Sequence, residues 1–547
     1  MLSRSTKLIA AVLLAAATGA RADFIDLYAD KLDMPRNKAP RVGRSKVVLI
    51  PVEIDNAGYD PIDQERVRAF FGQDTGAGLT FSSYYDAASG GKLHLDVTVA
   101  PVVKYDGCPS MIKTTAGCTI PRGDVSALTQ GMDFVRDVFR RAHDEGKVDF
   151  SQFDSNGLGG QPDGVIDGAM IVVNVPHAGI ALPIQYVNSG SNLNGGTGGS
   201  LKLDGIEIPY VAVGGASTVN GAQHVEYVIL HEFAHTLGFA DLYYEHPSSG
   251  DKYPQWGGLH FSLMGDYDYD DKVPLPDAES RRALGWQQHQ VISGTRAVTL
   301  APAAMGGGAV KLGMVKDGRT EYFLAEARGP VAGIDNGLLD SSGNPAYGLA
   351  IYHVDWGKGP SAQVGAWTSR LLYCLDCDPY HPFIRNLESS GTFALVSTGS
   401  NDVGHAAVQG GVPDDMVLWQ GGAVTSRDGA APLSGDNRYV ATNFYDGSVS
   451  GISVRDIKVN ADHTITATFT APDVSDPCSD VICPALEQCV KSGVSAGNCQ
   501  PITQVIPEPG PAATPAATGC SGAGTPGLAG LLLLALLFGL RRRQPAL

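Results

Sequence analysis

The chain has 547 residues, of which 43% are hydrophobic and 18% are charged. This composition excludes a disordered chain, and the length is enough for about three or four units with two or more sizeable cores. The net charge of −17 argues against nucleic acid or an anionic membrane surface as a partner, and it suits a soluble exported protein that also binds cations.

The N-terminus has the order of a secretory signal peptide. Arg4 and Lys7 precede an apolar run at 8–17, and small residues follow at Ala20-Arg21-Ala22. We therefore expect a signal peptide at 1–22 and an exported protein that is secreted or held at the cell surface. Only a short segment separates it from the first predicted strand, so a long inhibitory propeptide is not evident.

Alternating apolar runs predict the first strands, and a helical pattern lies between them. The runs are Val47–Val52, Leu93–Val99 and Gly168–Val175. Apolar residues at helical spacing are Met132, Val135, Val138, Phe139 and Ala142. Together they predict an α+β catalytic domain at 45–289.

An acidic loop offers oxygen ligands at the alternating spacing that hard cations favour. The candidate calcium ligands are Asp154, Asn156, Asp163, Val165 and Asp167. The insert Leu158 to Pro162 interrupts the usual order of such loops. The alternative is a polar turn with side-chain to backbone bonds.

The segment from Ile229 to Asp241 predicts a zinc site on a helix. His231 and His235 lie four residues apart on one helix face, so two imidazoles can bind one ion with Glu232 beside the bound water as general base. Gly238 ends the helix and lets the chain turn back, so Asp241 is the candidate third ligand. The alternative is a core helix with packed histidines.

Other candidates follow the helix. Glu245 and His246 are reserve zinc ligands by position. Met264 stands in a turn, and in zincins with the long motif such a turn lies under the metal. His260 and Tyr267 flank this turn and are candidate oxyanion donors.

Short strands with Gly, Asn and Asp turns predict a β-sandwich-like domain at 290–471. Apart from Cys520, the chain has eight cysteines, an even number that favours disulfides in an exported protein. Cys108 and Cys118 are expected to close a loop, and a structural disulfide is favoured over a redox or zinc pair for Cys374 and Cys377. A small two-bridge module at 478–500 allows three connectivities among Cys478, Cys483, Cys489 and Cys499.

The C-terminus carries a Pro-rich linker at 501–519 and a tag at 520–547. In the tag, Cys520 precedes an apolar run at 527–540 and then Arg541-Arg542-Arg543. This order resembles the MYXO-CTERM type of sorting tag, which implies processing and attachment at the cysteine. We therefore expect this segment to engage the membrane and the sorting machinery, with a plain transmembrane anchor as the alternative.

Several blocks together resemble the immune inhibitor A family of secreted bacterial metallopeptidases. Besides the helix motif, they are 83–93, 149–154, 262–265, 280–286, 321–328 and 348–355. The resemblance implies a zincin or metzincin-like fold and a zinc endopeptidase acting on protein or peptide substrates, with bound calcium in some members. The competing hypotheses are a surface adhesin or cation-binding scaffold with a degenerate peptidase fold, and a zinc hydrolase acting on a non-peptide substrate.

Overall fold

The computed structural model describes part of the chain. The chain divides into two compact units, Met1–Pro501 and Ile502–Leu547, and all described residues belong to the first. They are 39–55, 60–72, 78–114, 117–118, 125–157, 160–174, 201–219, 222–225, 228–239, 242–245, 256–258, 261–265, 273–313, 321–355, 384–387, 389, 418–432, 440–473, 487–491 and 497–501.

Most regular structure in these residues is β-strand. The α-helices are α1 (Gln64–Phe71), α2 (Phe81–Ala88), α3 (Val125–Asp144), α4 (Val228–Leu237) and α5 (Ala278–Ala283). The strands are β1 (Gly43–Asp55), β2 (Leu93–Val99), β3 (Val103–Asp106), β4 (Lys113–Thr114), β5 (Gly117–Cys118), β6 (Ala169–Val173), β7 (Leu201–Leu203), β8 (Ile206–Ile208), β9 (Ala212–Val219), β10 (Ala222–Val225), β11 (Tyr243–Glu245), β12 (Trp256–Gly258), β13 (His289–Ile292), β14 (Gly294–Leu300), β15 (Ala309–Leu312), β16 (Glu321–Arg328), β17 (Gly348–Asp355), β18 (Ile384–Asn386), β19 (Val424–Thr425), β20 (Ser453–Val459), β21 (Ile465–Ala471), β22 (Glu487–Lys491) and β23 (Gly497–Pro501).

The first sheet has the order β10-β9-β6-β1-β2, and β3 pairs with the end of β1. Strand β1 is parallel to β2, β3 and β6, and β6 is parallel to β9, whereas β10 runs antiparallel at the edge. The three predicted strands and the helical pattern are confirmed in β1, β2, β6 and α3. The mixed α and β content is confirmed as well, but the parallel pairing differs from the antiparallel sheet that an α+β fold implies.

Two glycines let α4 lie close to this sheet. A Cβ at Gly214 in β9 would lie 3.0 Å from Cδ1 of Ile229, and a Cβ at Gly168 would lie 3.1 Å from Cε2 of Phe233. Ile229 and Phe233 are four residues apart, so they face the sheet from the same side of α4. His231 and His235 follow Ile229 and Phe233 by two positions each, so the two histidine side chains do not face the sheet.

Two further sheets enclose a second hydrophobic core. Their orders are β13-β15-β16-β17-β18 and β14-β21-β20-β19. The five-stranded sheet is buried on both faces, because the side chains of β16 and β17 alternate between two cores. Phe323, Ala325, Ala327, Leu349 and Ile351 belong to the second core. Tyr322, Leu324, Ala350, Tyr352 and Val354 belong to the first, together with residues of the parallel sheet. The first core therefore includes residues on both sides of position 290.

Only some of the residues in the predictions about disulfides and membrane segments belong to the described part of the chain. The Cys108–Cys118 disulfide is confirmed, with Cα atoms 5.6 Å apart. Cys489 and Cys499 occupy opposite register positions in β22 and β23. The signal peptide, Cys374, Cys377, Cys478, Cys483, the linker and the tag with Cys520 lie outside the described residues. No helix within the described ranges is long and apolar enough to cross a membrane.

Candidate metal centre

The predicted zinc-binding helix is present as α4, and it brings three candidate groups together. His231, Glu232 and His235 are each at most 5% exposed. One ligand atom from each lies within 4.8 Å of those of the other two. In the described part of the chain, no other group of three or more His, Cys, Asp or Glu side chains is gathered this closely.

Hydrogen bonds at Nδ1 set the tautomer of both histidines. Nδ1 of His231 lies 2.7 Å from the carbonyl oxygen of Leu263, and Nδ1 of His235 lies 2.9 Å from that of Phe239. A carbonyl oxygen only accepts, so Nδ1 carries the proton in each ring. In the neutral imidazole the lone pair is then on Nε2, which is the arrangement of a metal-binding histidine whose other nitrogen is held by a carbonyl.

Gly238 ends α4 as predicted. Its φ is 102°, a conformation that glycine adopts without steric cost. Its N–H donates to the carbonyl of His235, and that of Phe239 donates back to the carbonyl of Ala234. This turn directs the Phe239 carbonyl onto the imidazole of His235, so the helix stop also orients a candidate ligand.

The turn that contains Met264 lies beside the histidines. The N–H of Gly265 donates to the carbonyl of Ser262, which closes the turn, and Met264 is fully buried. Two consecutive carbonyls of this turn accept hydrogen bonds from α4 or from the residues just after it. That of Leu263 accepts from His231, and that of Met264 accepts from the N–H of Leu242, just beyond the end of α4.

The other predicted zinc-site residues cannot be placed at the centre. Asp241, His246, His260 and Tyr267 lie outside the described residues. Glu245 is the last residue of β11, where its backbone pairs with that of Trp256 in β12. The third ligand therefore stays a prediction.

Two adjacent tyrosines of α2 contact the elements that carry the site. The hydroxyl of Tyr85 donates to the carbonyl of Leu230 in α4, and its ring centroid is 5.3 Å from that of Phe233. The hydroxyl of Tyr84 donates to the carbonyl of Pro274, at 2.8 Å. Burial, and after it the neighbouring Tyr84 and Glu232, raises the pKa of Tyr85 well above its ordinary value, so it remains a donor. The sequence predicts no role for these two tyrosines, although paired tyrosines in a short apolar helix are a usable signal.

The candidate calcium ligands are engaged with the backbone. The carboxylate of Asp154 accepts from the N–H groups of Asp163 and Gly164. That of Asp167 accepts from the N–H groups of Lys46, Ser155 and Asn156. These bonds close the loop across the insert and tie it to β1, and they are not the local bonds of the polar-turn alternative.

The remaining candidates of this loop are similarly placed. Oδ1 of Asp163 accepts from the N–H of Val165, and the side-chain amide of Asn156 donates to the carbonyl of Val42. Asp154, Asp163 and Asp167 do not form a group of three carboxylates close enough to share one ion, and calcium binding stays a prediction.

The comparisons with known proteins give no assignment. No family model matches the chain, and a search of curated proteins finds no match.

Proposed function

We propose that this chain is an exported zinc-dependent endopeptidase that hydrolyses peptide bonds in extracellular proteins. One observation carries the proposal: two buried histidines, each with Nδ1 held by a carbonyl, stand one helical turn apart with a buried glutamate between them. Burial alone would also require an acceptor for each ring N–H, so the metal site is favoured by the combination of both Nδ1 bonds with the spacing of His231, Glu232 and His235.

The donor set fits zinc, which favours imidazole nitrogen and carboxylate oxygen. Nε2 of His231 and of His235 would bind the ion, with Asp241 as the proposed third ligand. The two imidazoles alone would leave the site short of the three protein ligands that catalytic zinc sites use. A bound zinc ion supplies Lewis acidity for peptide hydrolysis.

Glu232 would act as the proton carrier. Its carboxylate takes a proton from the attacking water and later gives it to the leaving amine. Its position next to His231 in sequence, and its burial, keep it beside the reacting atoms and away from bulk solvent.

The proposal includes the organisation of the chain: a zincin-like catalytic part is followed by a β-sandwich-like part and a cysteine-rich module. Export and surface attachment rest on the terminal sequences alone.

Casein or gelatin hydrolysis by the purified chain tests the proposal. We expect activity that a zinc chelator abolishes and that added zinc restores. Glu232→Gln is the matched control, because it retains the two imidazoles but cannot accept the proton. Zinc binding with no hydrolysis of any protein substrate would favour the competing hypothesis of a zinc hydrolase that acts on a non-peptide substrate. Hydrolysis that survives complete zinc removal, or that Glu232→Gln leaves intact, would refute the proposal.

A further inference from the structure

Strand β16 carries two charged side chains into the first core. Glu326 and Arg328 are both fully buried, on the same face of the strand as Tyr322 and Leu324. A buried charge costs several kcal/mol unless it is paired and hydrogen-bonded. The contacts of Arg328 are therefore informative about why it is there.

The guanidinium of Arg328 binds one carboxylate with two bonds. Its Nε donates to Oδ2 of Asp335 at 2.8 Å, and its Nη2 donates to Oδ1 of the same residue at 2.6 Å. Nη1 lies 3.2 Å from Oε1 of Glu326 and 3.3 Å from the hydroxyl of Tyr352. Glu326 in turn accepts from the guanidinium of Arg281, so two cations and two anions are interleaved.

Arg328 also binds the backbone on both sides of the Met264 turn. Nη2 donates to the carbonyl of Phe261 at 2.9 Å and to that of Leu275 at 3.1 Å. Phe261 has a φ of 41°. This conformation costs a non-glycine residue on the order of 1–3 kcal/mol, and it persists only where the surrounding contacts hold the residue in place. The residue held in this way directly precedes the turn.

The turn connects this anchor to the candidate metal ligand. Two residues after Phe261, the carbonyl of Leu263 accepts from Nδ1 of His231. The direction of that carbonyl sets both the tautomer and the ring orientation of the histidine. A second anchor lies between them, because Ser262 donates to Asp277.

We propose that Arg328 is a positioning residue of the metal centre, which acts through the backbone of Phe261 and Leu263 on His231. The inference rests on the proposed zinc site, and it adds that the site is incomplete without a strand of the β-rich part. It requires arginine, because a lysine side chain is one bond too short to place its ammonium where Nη2 lies, and it has no counterparts of the Nε and Nη1 that bind Asp335 and Glu326.

The test measures zinc affinity of the full-length chain by competition with a chromophoric chelator, together with the visible spectrum of the cobalt-substituted protein. Arg328→Met is the direct variant. Arg328→Lys keeps the charge balance and serves where the methionine variant fails to fold. Arg282→Met is the control, because it removes a partly buried arginine whose guanidinium is bound to Glu279 instead of to the turn.

We expect both Arg328 variants to bind zinc more weakly, up to the roughly 10- to 100-fold typical of losing the group bonded to the ligand itself, here the Leu263 carbonyl, with an altered cobalt spectrum. The control should remain within about twofold of wild type, since its guanidinium pairs with Glu279 and sites without shared partners act nearly independently. A folded Arg328→Lys protein with wild-type zinc affinity and spectrum would overturn the inference and leave the proposed function standing. A wild-type chain that binds no zinc would overturn both.

Discussion

Replacing Gly214 by alanine should destabilise the protein through α4. The new Cβ would lie 3.0, 3.2 and 3.4 Å from Cδ1, Cβ and Cγ1 of Ile229, whereas carbon atoms normally pack at about 3.5–4.0 Å. Cδ1 can rotate away, but Cβ is fixed to the helix backbone, so α4 must move off the sheet by a few tenths of an ångström. Overpacking of this kind costs about 1–3 kcal/mol.

Urea unfolding of the metal-free chain, followed by circular dichroism, measures this cost. Gly308→Ala is the matched control, because its Cβ would meet no atom within 4 Å, and we expect its stability to lie within about 0.5 kcal/mol of wild type. Ile229→Val removes Cδ1 but keeps Cβ, so most of the loss should remain in the Gly214→Ala background. Equal stability of the two alanine variants would refute the close approach of helix and sheet.

Three further results are expected. Glu232→Gln should keep zinc but lower peptide hydrolysis about 10²- to 10⁴-fold, and near-wild-type turnover in the metal-loaded variant would contradict its role. Asp241→Ala should weaken zinc binding more than it changes the unfolding midpoint, whereas full occupancy at limiting zinc would move the assignment to Glu245 or His246. Burial raises the pKa of Glu279, but the charge and hydrogen bonds of Arg282 outweigh this effect and bring the pKa down to about 2. A lowered pKa contributes stability above about pH 4.5 that is lost as the pH falls through about 2. The stability advantage of the metal-free wild type over Glu279→Gln should therefore shrink by about 3 kcal/mol between pH 5 and 2, and parallel pH curves would exclude this.

Local patterns were enough to predict the helix of the candidate site. The spacing of His231 and His235, the stop at Gly238 and the turn at Met264 all depend on residues close in sequence, where helical period and glycine conformation decide the outcome. The strands Val47–Val52 and Leu93–Val99 were predictable for the same reason. The parallel pairing of these strands was not predictable, because the choice of partner strand depends on crossover connections between residues far apart in the chain.

The contacts of charged residues were the hardest to foresee. Asp154 and Asp167 stand at ligand-like spacing, yet spacing does not tell whether a carboxylate accepts from a cation or from backbone N–H groups. Glu326 and Arg328 stand at alternate positions of β16, on the same face as Tyr322. Charged residues at such positions usually indicate a face exposed to solvent. The burial of Glu326 and Arg328 follows from the first core, which covers this face of the sheet with residues far away in sequence, and no local pattern encodes that.

The double role of β16 has a consequence for biosynthesis. A ribosome delivers α4 and the Met264 turn well before it delivers Arg328 and Asp335, so a nascent chain carries its histidines without the guanidinium that holds the turn. If the proposed positioning role is correct, metal affinity is acquired only when β16 has joined the fold. Arrested chains that end at residue 320 should then bind zinc more weakly than chains that end at 360, and equal binding by both would count against it. A peptidase of the proposed kind would in this way complete its own centre late, after most of its own sequence has been made.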